Sequence, residues 1–187
     1  MRRGGVVAGR HLHALAHNRD ARPVHVGRRR GSIGSQHALG RSPKPLESVD
    51  ASLVGLVDRV TRRMRAARRV GRTVVLRLRF DDFSRATRSH TLPRATAHTP
   101  TILATARGLL AGAVPLIERR GITLVGVAVG NLDDDGAVQL TLPFDRGSGG
   151  ALDAALDDVR NRFGSAAVTR AVLLGRDPGL TVPLLPD

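Results

Sequence analysis

Hydrophobic and polar positions alternate along the central part of the chain in an order that predicts strands and helices in turn. Residues 32–39 predict a short first strand. After Pro45, apolar residues recur at helical spacing through about Arg69, and Gly71 then ends the predicted helix. We expect most of the arginines on the other face of this helix to lie in solvent. The apolar positions are Val49, Leu53, Leu56, Val57, Val60 and Met64, and the arginines are Arg59, Arg62, Arg63 and Arg65.

A β-hairpin follows this helix. Strict alternation over residues 73–80 predicts a strand with one apolar side and one side that carries Arg77 and Arg79. Residues 81–83 predict a turn, and residues 84–92 predict a second strand that is polar and rich in Thr and Ser. The hairpin therefore has one apolar face and one cationic face.

A second helix and a last strand complete the pattern. Thr99 and Pro100 are a good N-cap and first-turn pair, and Pro115 ends or kinks the helix before Glu118. Residues 122–129 predict a buried strand. The order strand, helix, strand, strand, helix, strand predicts an α+β fold, with a four-stranded antiparallel-rich sheet and two helices on one face, the split βαβ arrangement. The other face stays open to a partner.

The two ends of the chain differ from this central region. Residues 11–16 predict the end of a helix, and residues 23–31 are typical of a charged linker. Residues 139–144 form an apolar hexapeptide outside the predicted core. We expect it either to bind a partner or to pack as a terminal strand on its own domain. A C-terminal amphipathic helix and an irregular tail follow. The apolar stripe of this C-terminal helix consists of Leu152, Ala155, Leu156, Val159 and Phe163.

Composition points to a polyanion as the partner. Thirty Lys and Arg against 16 Asp and Glu give a net charge of +14. Nucleic acid fits this charge best, since an arginine-rich surface gains affinity by releasing phosphate counterions. A basic bias from codon usage and a basic RNA- or ribosome-associated α+β protein are the alternatives. With four Phe and no Trp or Tyr, a base-stacking platform is disfavoured.

The residues offer little for catalysis or metal binding. The absence of cysteine excludes disulfides, thiolate metal sites and a cysteine nucleophile. His11, His13 and His17 lack a carboxylate constellation around them, and residues 133–135 beside Gly136 are typical of a solvated turn. No segment approaches the roughly 20 apolar residues that span a bilayer. We therefore expect a cytoplasmic protein with no catalytic residue, no metal site and no membrane contact.

Several stretches together resemble the C-terminal part of Y-family translesion DNA polymerases of the DNA polymerase IV (DinB) type. Each is short, but their order and spacing match the family. They are Ser32-Ile33-Gly34-Ser35, Arg79-Phe80-Asp81-Asp82-Phe83, Thr87-Arg88-Ser89 with Thr91-Leu92, Leu116-Ile117-Glu118-Arg119-Arg120, and Gln139-Leu140-Thr141-Leu142-Pro143-Phe144. Two positions depart from the family: Gly31 stands where a basic residue is usual, and Gln36 stands where Glu is common.

The resemblance implies a domain organisation. Residues 1–22 correspond to a remnant of the thumb and residues 23–31 to a basic linker. Residues 32–131 correspond to the little-finger DNA-binding domain, and residues 132–150 to a clamp-binding peptide with a flexible segment. Residues 151–187 form the C-terminal helix and tail. The palm, which holds Mg²⁺ for nucleotidyl transfer, precedes this region in the family, so we expect this chain alone to have no cofactor and no polymerase activity.

The resemblance also implies a role in DNA repair, as the module that grips primer–template DNA during synthesis past damaged DNA. Its other partners would be the sliding clamp and a polymerase catalytic core in the same or another chain. A free-standing accessory or decoy that binds DNA and clamp is the alternative. The DNA-binding candidates are Arg28, Arg29, Arg30, Ser32, Gly34, Ser35, Arg77, Arg79 and Arg88, and the clamp-binding candidates are Gln139, Leu140, Leu142 and Phe144.

Overall fold

The computed structural model describes residues 4–20, 22–23, 31–137 and 149–176 of the chain. Helices and strands alternate through the central range in the predicted order. The helices are α1 (Gly4–Ala16), α2 (Leu46–Ala66), α3 (Thr99–Ala111), α4 (Val114–Arg120) and α5 (Gly149–Phe163). The strands are β1 (Ser32–Ala38), β2 (Arg69–Arg79), β3 (Arg85–Thr96) and β4 (Leu124–Asp134). Short 3-10 helices lie at Asp135–Ala137 and Ala171–Leu173.

The strands form one sheet in the order β1-β4-β2-β3, and every neighbouring pair is antiparallel. Because β4 lies between them, β1 and β2 are parallel to each other and are connected by α2. In the same way, β3 and β4 are parallel, are separated by β2 and are connected by α3 and α4. These are two interlocked split βαβ units, and they confirm the predicted α+β fold class.

One apolar layer joins the helices to the sheet. Val57 of α2, Ile102 of α3 and Val125 of β4 are fully buried, as is Phe80 directly after β2. Alternation along β2 and β4 and the helical spacing on α2 bring these side chains to the same side of the sheet. Burial of each large apolar side chain contributes about 1.5–3 kcal/mol, so this layer is the main source of the domain's stability.

One predicted helix boundary was wrong, and the predicted break before Glu118 is present. Helix α2 ends at Ala66, and Gly71 lies inside β2, where an added Cβ would come within 2.5 Å of the Val129 side chain. Gly71 therefore permits close strand packing and does not end the helix. Helix α3 ends at Ala111, before Pro115, and α4 continues at a bend of 53° with this proline in its first turn.

The C-terminal segment, residues 149–176, packs on the side of α2 that faces away from the sheet. The carboxylate of Asp153 accepts a hydrogen bond from the Thr99 backbone N–H (2.8 Å), so α5 provides the N-terminal cap of α3 that Thr99 was predicted to provide. Farther along α2, the Leu173 side chain lies over Gly55, and Arg176 contacts Glu47. The part of the predicted tail that the structure describes thus packs against the domain.

The predicted apolar stripe of α5 is only partly covered, at Leu156 and Val159, and a charged face of the helix is the most buried. Leu152 and Phe163 are 61% and 67% exposed, whereas Asp153 and Arg160 are only 4% and 5% exposed. Asp153 and Asp157 both form ion pairs with Arg65 of α2, at 3.4 and 2.6 Å. Burial lowers the pKa of Arg65, but the Asp157 hydrogen bond and the Asp153 charge outweigh burial and raise its pKa above the ordinary value.

Most of the four arginines of α2 were also predicted to lie in solvent, and all four are partly buried instead. Arg62 donates a hydrogen bond to Asn161 of α5, and Arg65 joins the ion pairs just described. Arg59 and Arg63 reach the other way, toward β1. Each guanidinium has an acceptor within reach on a neighbouring element, and a helical pattern alone does not reveal such acceptors.

Among the described residues, no single helix is long and apolar enough to cross a membrane. Helices α3 and α4 pass that test of length and composition only when taken together as a bent pair.

Candidate nucleic-acid interface

The sheet face away from α2 and α3, which we call the open face, is built from alternate residues of all four strands. The strand registers arrange these residues in rows that run across the sheet in the order β1, β4, β2, β3. Successive rows are Ser32–Gly130–Thr73–Thr91, Gly34–Ala128–Val75–Ser89, Gln36–Gly126–Arg77–Thr87 and Ala38–Leu124–Arg79–Arg85. The face therefore has small residues on β4, hydroxyl groups on β3 and arginines toward one end.

Arg77 and Arg79 lie on this open face, as the alternation predicted. Arg77 is exposed and makes no hydrogen bond or ion pair with the described part of the chain. Arg79 is half-buried, and its Nε donates to Thr123 Oγ1 at 3.1 Å. This bond fixes the orientation of the Arg79 side chain but uses only one of its five N–H groups. Both guanidinium groups therefore retain donors for an anion.

A row of hydroxyl groups on β3 adds to the site, and sequence reasoning missed it. Thr87, Ser89 and Thr91 stand at alternate positions of β3 and are exposed on the open face, with Arg85 at the end of the row. Thr91 and Thr73 share a hydrogen bond of 3.1 Å across the strands. The period-2 spacing of these residues was the signal, since Ser and Thr hydroxyls are common phosphate contacts.

The residues at the centre of the open face have very small side chains or none. An added Cβ at Gly34 would lie 2.9 Å from the Ala128 Cβ, and one at Gly126 would lie 3.1 Å from the Gln36 Cβ. Both positions therefore depend on glycine for close packing. The resulting surface lets a bulky partner approach the backbone of β1 and β4.

Strand β1 divides the predicted Ser32–Ser35 group between the two sides of the sheet. Ser32 and Gly34 belong to the open face, but Ser35 faces α2, where its hydroxyl accepts a hydrogen bond from Arg59 at 3.4 Å. The Ser35 side chain therefore lies away from the open face, and its backbone groups point toward β4. The alternation around buried Ile33 accounts for this division, because it places residues 33 and 35 on the helix side.

Arg88 does not lie on the same face of the sheet as Arg77 and Arg79. It is paired with buried Leu76 and lies on the helix side of β3, with its guanidinium beside Gly112 at the end of α3. A cation near the C-terminus of a helix is favourable, which gives Arg88 a structural reason for its position. The placement separates it from the open-face arginines.

The remaining predicted site residues lie outside the described residues. They are Arg28, Arg29, Arg30 and the hexapeptide Gln139–Phe144.

The turn between β2 and β3 is fixed by a local set of polar contacts. Hydrogen bonds from Ser84 and Arg120 lower the pKa of Asp82 from 3.8 to about 2. Phe83 adopts a positive φ of 61° and is exposed, and the Arg41 guanidinium lies over its ring at 5.0 Å. This turn holds the ends of the hairpin, including Arg79 and Arg85, in place next to the open face.

Possible metal ligands do not converge in the part of the chain that the structure describes. No group of three or more His, Asp or Glu side chains there has a geometry that could hold a metal ion. The His13 and His17 rings lie 4.5 Å apart on consecutive turns at the end of α1. Asp134 is engaged with Arg69 at 3.6 Å.

Comparison with known proteins identifies the class to which this domain belongs. Residues 30–142 match the C-terminal domain of the impB/mucB/samB family, and this range includes the whole sheet with α2, α3 and α4. The chain therefore belongs to the impB/mucB/samB family.

Within that family, the similarity is to DNA polymerase IV. The chain is 38% identical over 177 residues to DNA polymerase IV 2 of Mesorhizobium japonicum, a match that covers 88% of this chain and 43% of that protein. It is also 38% identical over 177 residues to DNA polymerase IV of Moorella thermoacetica, covering 93% of this chain and 43% of that protein. The resemblance to the C-terminal part of a polymerase of this type is thus confirmed, and the chain spans less than half the length of these relatives.

The Moorella thermoacetica match has a further implication for the C-terminal segment. Because it covers 93% of this chain, it has to include α5 as well as the sheet domain.

Among solved structures, the chain resembles the little finger domain in a complex of the β-clamp processivity factor with the little finger domain of PolIV. That match has 25% identity and a TM-score of 0.43, and it covers 60% of this chain and 99% of the other. An insertion ternary complex of Dbh DNA polymerase matches with 14% identity and a TM-score of 0.47, covering 68% of this chain and 36% of the other.

Proposed function

We propose that this chain holds double-stranded primer–template DNA for a lesion-bypass polymerase of the Y-family and connects it to the sliding clamp in translesion synthesis. The observation that supports this most directly is the open face, where Arg77, Arg79 and Arg85 flank a surface of small and hydroxyl-bearing residues. Membership of a polymerase-containing family supplies the biological setting.

The chemistry of the open face suits phosphate contacts. Guanidinium and hydroxyl donors bind phosphate oxygens, and such contacts position a protein on a duplex without reading its sequence. The described open face lacks aromatic side chains for base stacking. A surface of this kind accepts any template, including a damaged one, which is what bypass synthesis requires.

The sliding clamp is the second proposed partner. The predicted clamp-binding residues are Gln139, Leu140, Leu142 and Phe144, which follow the end of β4 closely in the sequence. A similar little finger domain has been solved in a complex with a β-clamp processivity factor. Apolar anchors that fill a partner's pocket supply most of the binding energy in such peptides, so Leu142 and Phe144 are the expected anchors.

The catalytic core is proposed to lie outside this chain's own residues. Polymerase activity would come from a palm domain that holds Mg²⁺, in the same or another chain, and this chain would hold the DNA for it. On this proposal the protein acts in the cytoplasm, where bacterial DNA and its clamp are located.

The test of DNA binding is the double variant Arg77→Gln with Arg79→Gln in the full 187-residue chain. Loss of two phosphate contacts should lower the slope of log K against log salt by about 1.8 units and weaken binding equally across duplex sequences. Arg88→Gln, on the other side of the same hairpin, is the matched control and should leave the slope unchanged. An unchanged slope in the double variant, or tighter binding to A-form RNA than to B-form DNA, would contradict the proposal.

Clamp binding is tested separately. Leu142→Ala with Phe144→Ala should abolish binding to a bacterial β-clamp and leave duplex affinity intact, because the proposed duplex contacts are made by other residues. Thr141→Ala, between them, is the control and should retain clamp binding. Retained clamp binding in the double variant would return the hexapeptide to a structural role within its own domain.

A further inference from the structure

The turn between β2 and β3 presents a phenylalanine to solvent at one end of the sheet. Phe83 is 59% exposed, and its backbone adopts a positive φ of 61°. Bulky residues rarely adopt this left-handed conformation. The Phe83 N–H donates to the Phe80 carbonyl at 3.0 Å, so the turn is closed by its own hydrogen bond. Backbone strain of this kind clusters at ligand-binding sites, which makes the exposed ring a candidate binding group.

A guanidinium lies against this ring. Arg41, in the segment between β1 and α2, has its Cζ 5.0 Å from the centre of the Phe83 ring. Arg41 is itself exposed. Unpaired nucleic-acid bases stack on aromatic side chains, and a neighbouring arginine adds a cation–π contribution and attracts the phosphate backbone. The pair therefore has the chemistry of a site for one unpaired base.

The charge around the ring is positive on balance. Of the two carboxylates in the turn, Asp82 pairs with Arg120, which compensates its charge, and the Asp81 carboxylate lies against Gly121. Arg85 stands two residues after Phe83 in the sequence, so the Cα atoms of these two residues are at most about 7 Å apart. A DNA strand that reaches the ring thus meets arginines on the way.

We propose that Phe83, with Arg41 beside it, stacks on an unpaired base of the single strand that continues beyond the duplex held on the open face. This inference rests on the proposed function, because that strand belongs to the same primer–template DNA. Phe83 lies past the last row of the open face, which contains Arg79 and Arg85. A single strand that leaves the duplex at this end of the sheet passes the ring.

The surroundings of Phe83 favour a base over a protein partner. Its neighbours along the chain are Asp82 and Ser84, and the side chain against its ring is Arg41, so the ring is an isolated apolar group among polar ones. Protein interfaces take most of their binding energy from clusters of buried anchors. One ring is enough for one base, and stacking tolerates any base because each has an aromatic face. The site therefore suits a template of any sequence.

The test compares two DNA ligands and two exposed phenylalanines. The full chain is bound to a blunt fluorescent duplex and to the same duplex with a short single-stranded 5′ extension, which imitates the template ahead of a primer. We expect the extended duplex to bind about five-fold more tightly or better, and Phe83→Ala to remove this preference without changing the affinity for the blunt duplex.

Phe163→Ala is the matched control. The Phe163 ring is 67% exposed and has the Arg162 guanidinium over it at 5.3 Å, but it lies on α5, on the other side of α2 from the sheet. Its replacement should leave both affinities unchanged. An equal loss of preference in Phe163→Ala would overturn the assignment to Phe83.

Further comparisons separate stacking from other causes. An extension made of abasic sites keeps the phosphates without the bases, so it should bind no better than the blunt duplex. Phe83→Tyr keeps an aromatic ring and should keep the preference, whereas Phe83→Leu keeps an apolar side chain without the ring and should lose most of it. Equal binding of the abasic and normal extensions, or a full preference in Phe83→Leu, would overturn the inference.

Two other results would also overturn it. One is the absence of any preference for the extension in the original protein. The other is a Phe83→Ala variant that binds both ligands as the original protein does, which would assign the exposed ring to a protein contact. Failure of the Arg77 and Arg79 double variant would overturn the proposed function as a whole, whereas failure of the Phe83 comparisons alone would overturn only the stacking site.

Discussion

Helix α2 is packed on two opposite sides, and the two contacts have different chemistry. Toward the sheet it presents apolar residues such as Leu53 and Val57, which are fully buried among β-strand side chains. Toward the C-terminal segment it presents Asp58 and Arg65, which form ion pairs with Arg160 of that segment and with Asp157. The first contact is formed mainly by fully buried apolar side chains, and the second by charged side chains that are for the most part only partly buried.

The difference shows how a strongly arginine-rich chain can attach an extra helix without a second large apolar core. Arg160 is almost fully buried, and Asp58 bonds it at 2.9 Å. A buried charge is costly unless it is paired and hydrogen-bonded, so these pairs make the contact specific in position more than they make it strong. The sheet-facing side, by contrast, supplies stability that depends little on the exact partner atoms.

The largest expected effect is on the apolar side of α2. Leu53→Ala should lower the free energy of unfolding by about 2–5 kcal/mol, because it removes a fully buried side chain and leaves a cavity. Urea denaturation of the full chain measures this. Leu46→Ala, in the first turn of the same helix and partly exposed, is the control and should cost much less. Equal losses in both variants would mean that burial against the sheet is not what makes Leu53 important for stability.

A smaller effect is expected on the charged side. Asp153→Ala should cost about 1–3 kcal/mol, because it leaves the Thr99 N–H without its acceptor and removes one of the two carboxylates paired with Arg65. Amide hydrogen exchange should become faster in α5 and remain slow in β2 and β4. Asp158→Ala, an exposed neighbour on the same helix, should change neither. Faster exchange throughout the sheet would show that α5 is part of the main core.

The smallest effect is expected at the apolar stripe of α5. Leu152→Ser with Phe163→Ser should change the free energy of unfolding by no more than about 0.5 kcal/mol for each residue, because both side chains are exposed. Thermal unfolding of the full chain is a sufficient measurement, with Leu53→Ala as the positive reference. A loss of more than 2 kcal/mol would mean that α5 is held by its apolar stripe, as its sequence pattern first indicated.

The parts of the fold with one clear apolar side were predictable, and the parts with two polar sides were not. Alternation in β2 located Arg77 and Arg79 on the open face, because buried Leu76 and Leu78 define the opposite side. In β3 only Leu92 is buried, so the side occupied by Arg88 could be found only by counting back from it. Local pattern could not reveal that Asp153 contacts α3, since that pairing depends on how distant segments pack.

The sheet order also determines when the domain can form during synthesis. The ribosome releases β1 first, but its partner β4 emerges after all the other strands of the sheet. The β2–β3 hairpin can pair as soon as it is made, whereas β1 waits with both edges unpaired. Contacts between distant parts of a chain form slowly and leave strand edges open to misassembly in the meantime. The nascent chain thus commits to its final topology late, when β4 inserts between β1 and β2.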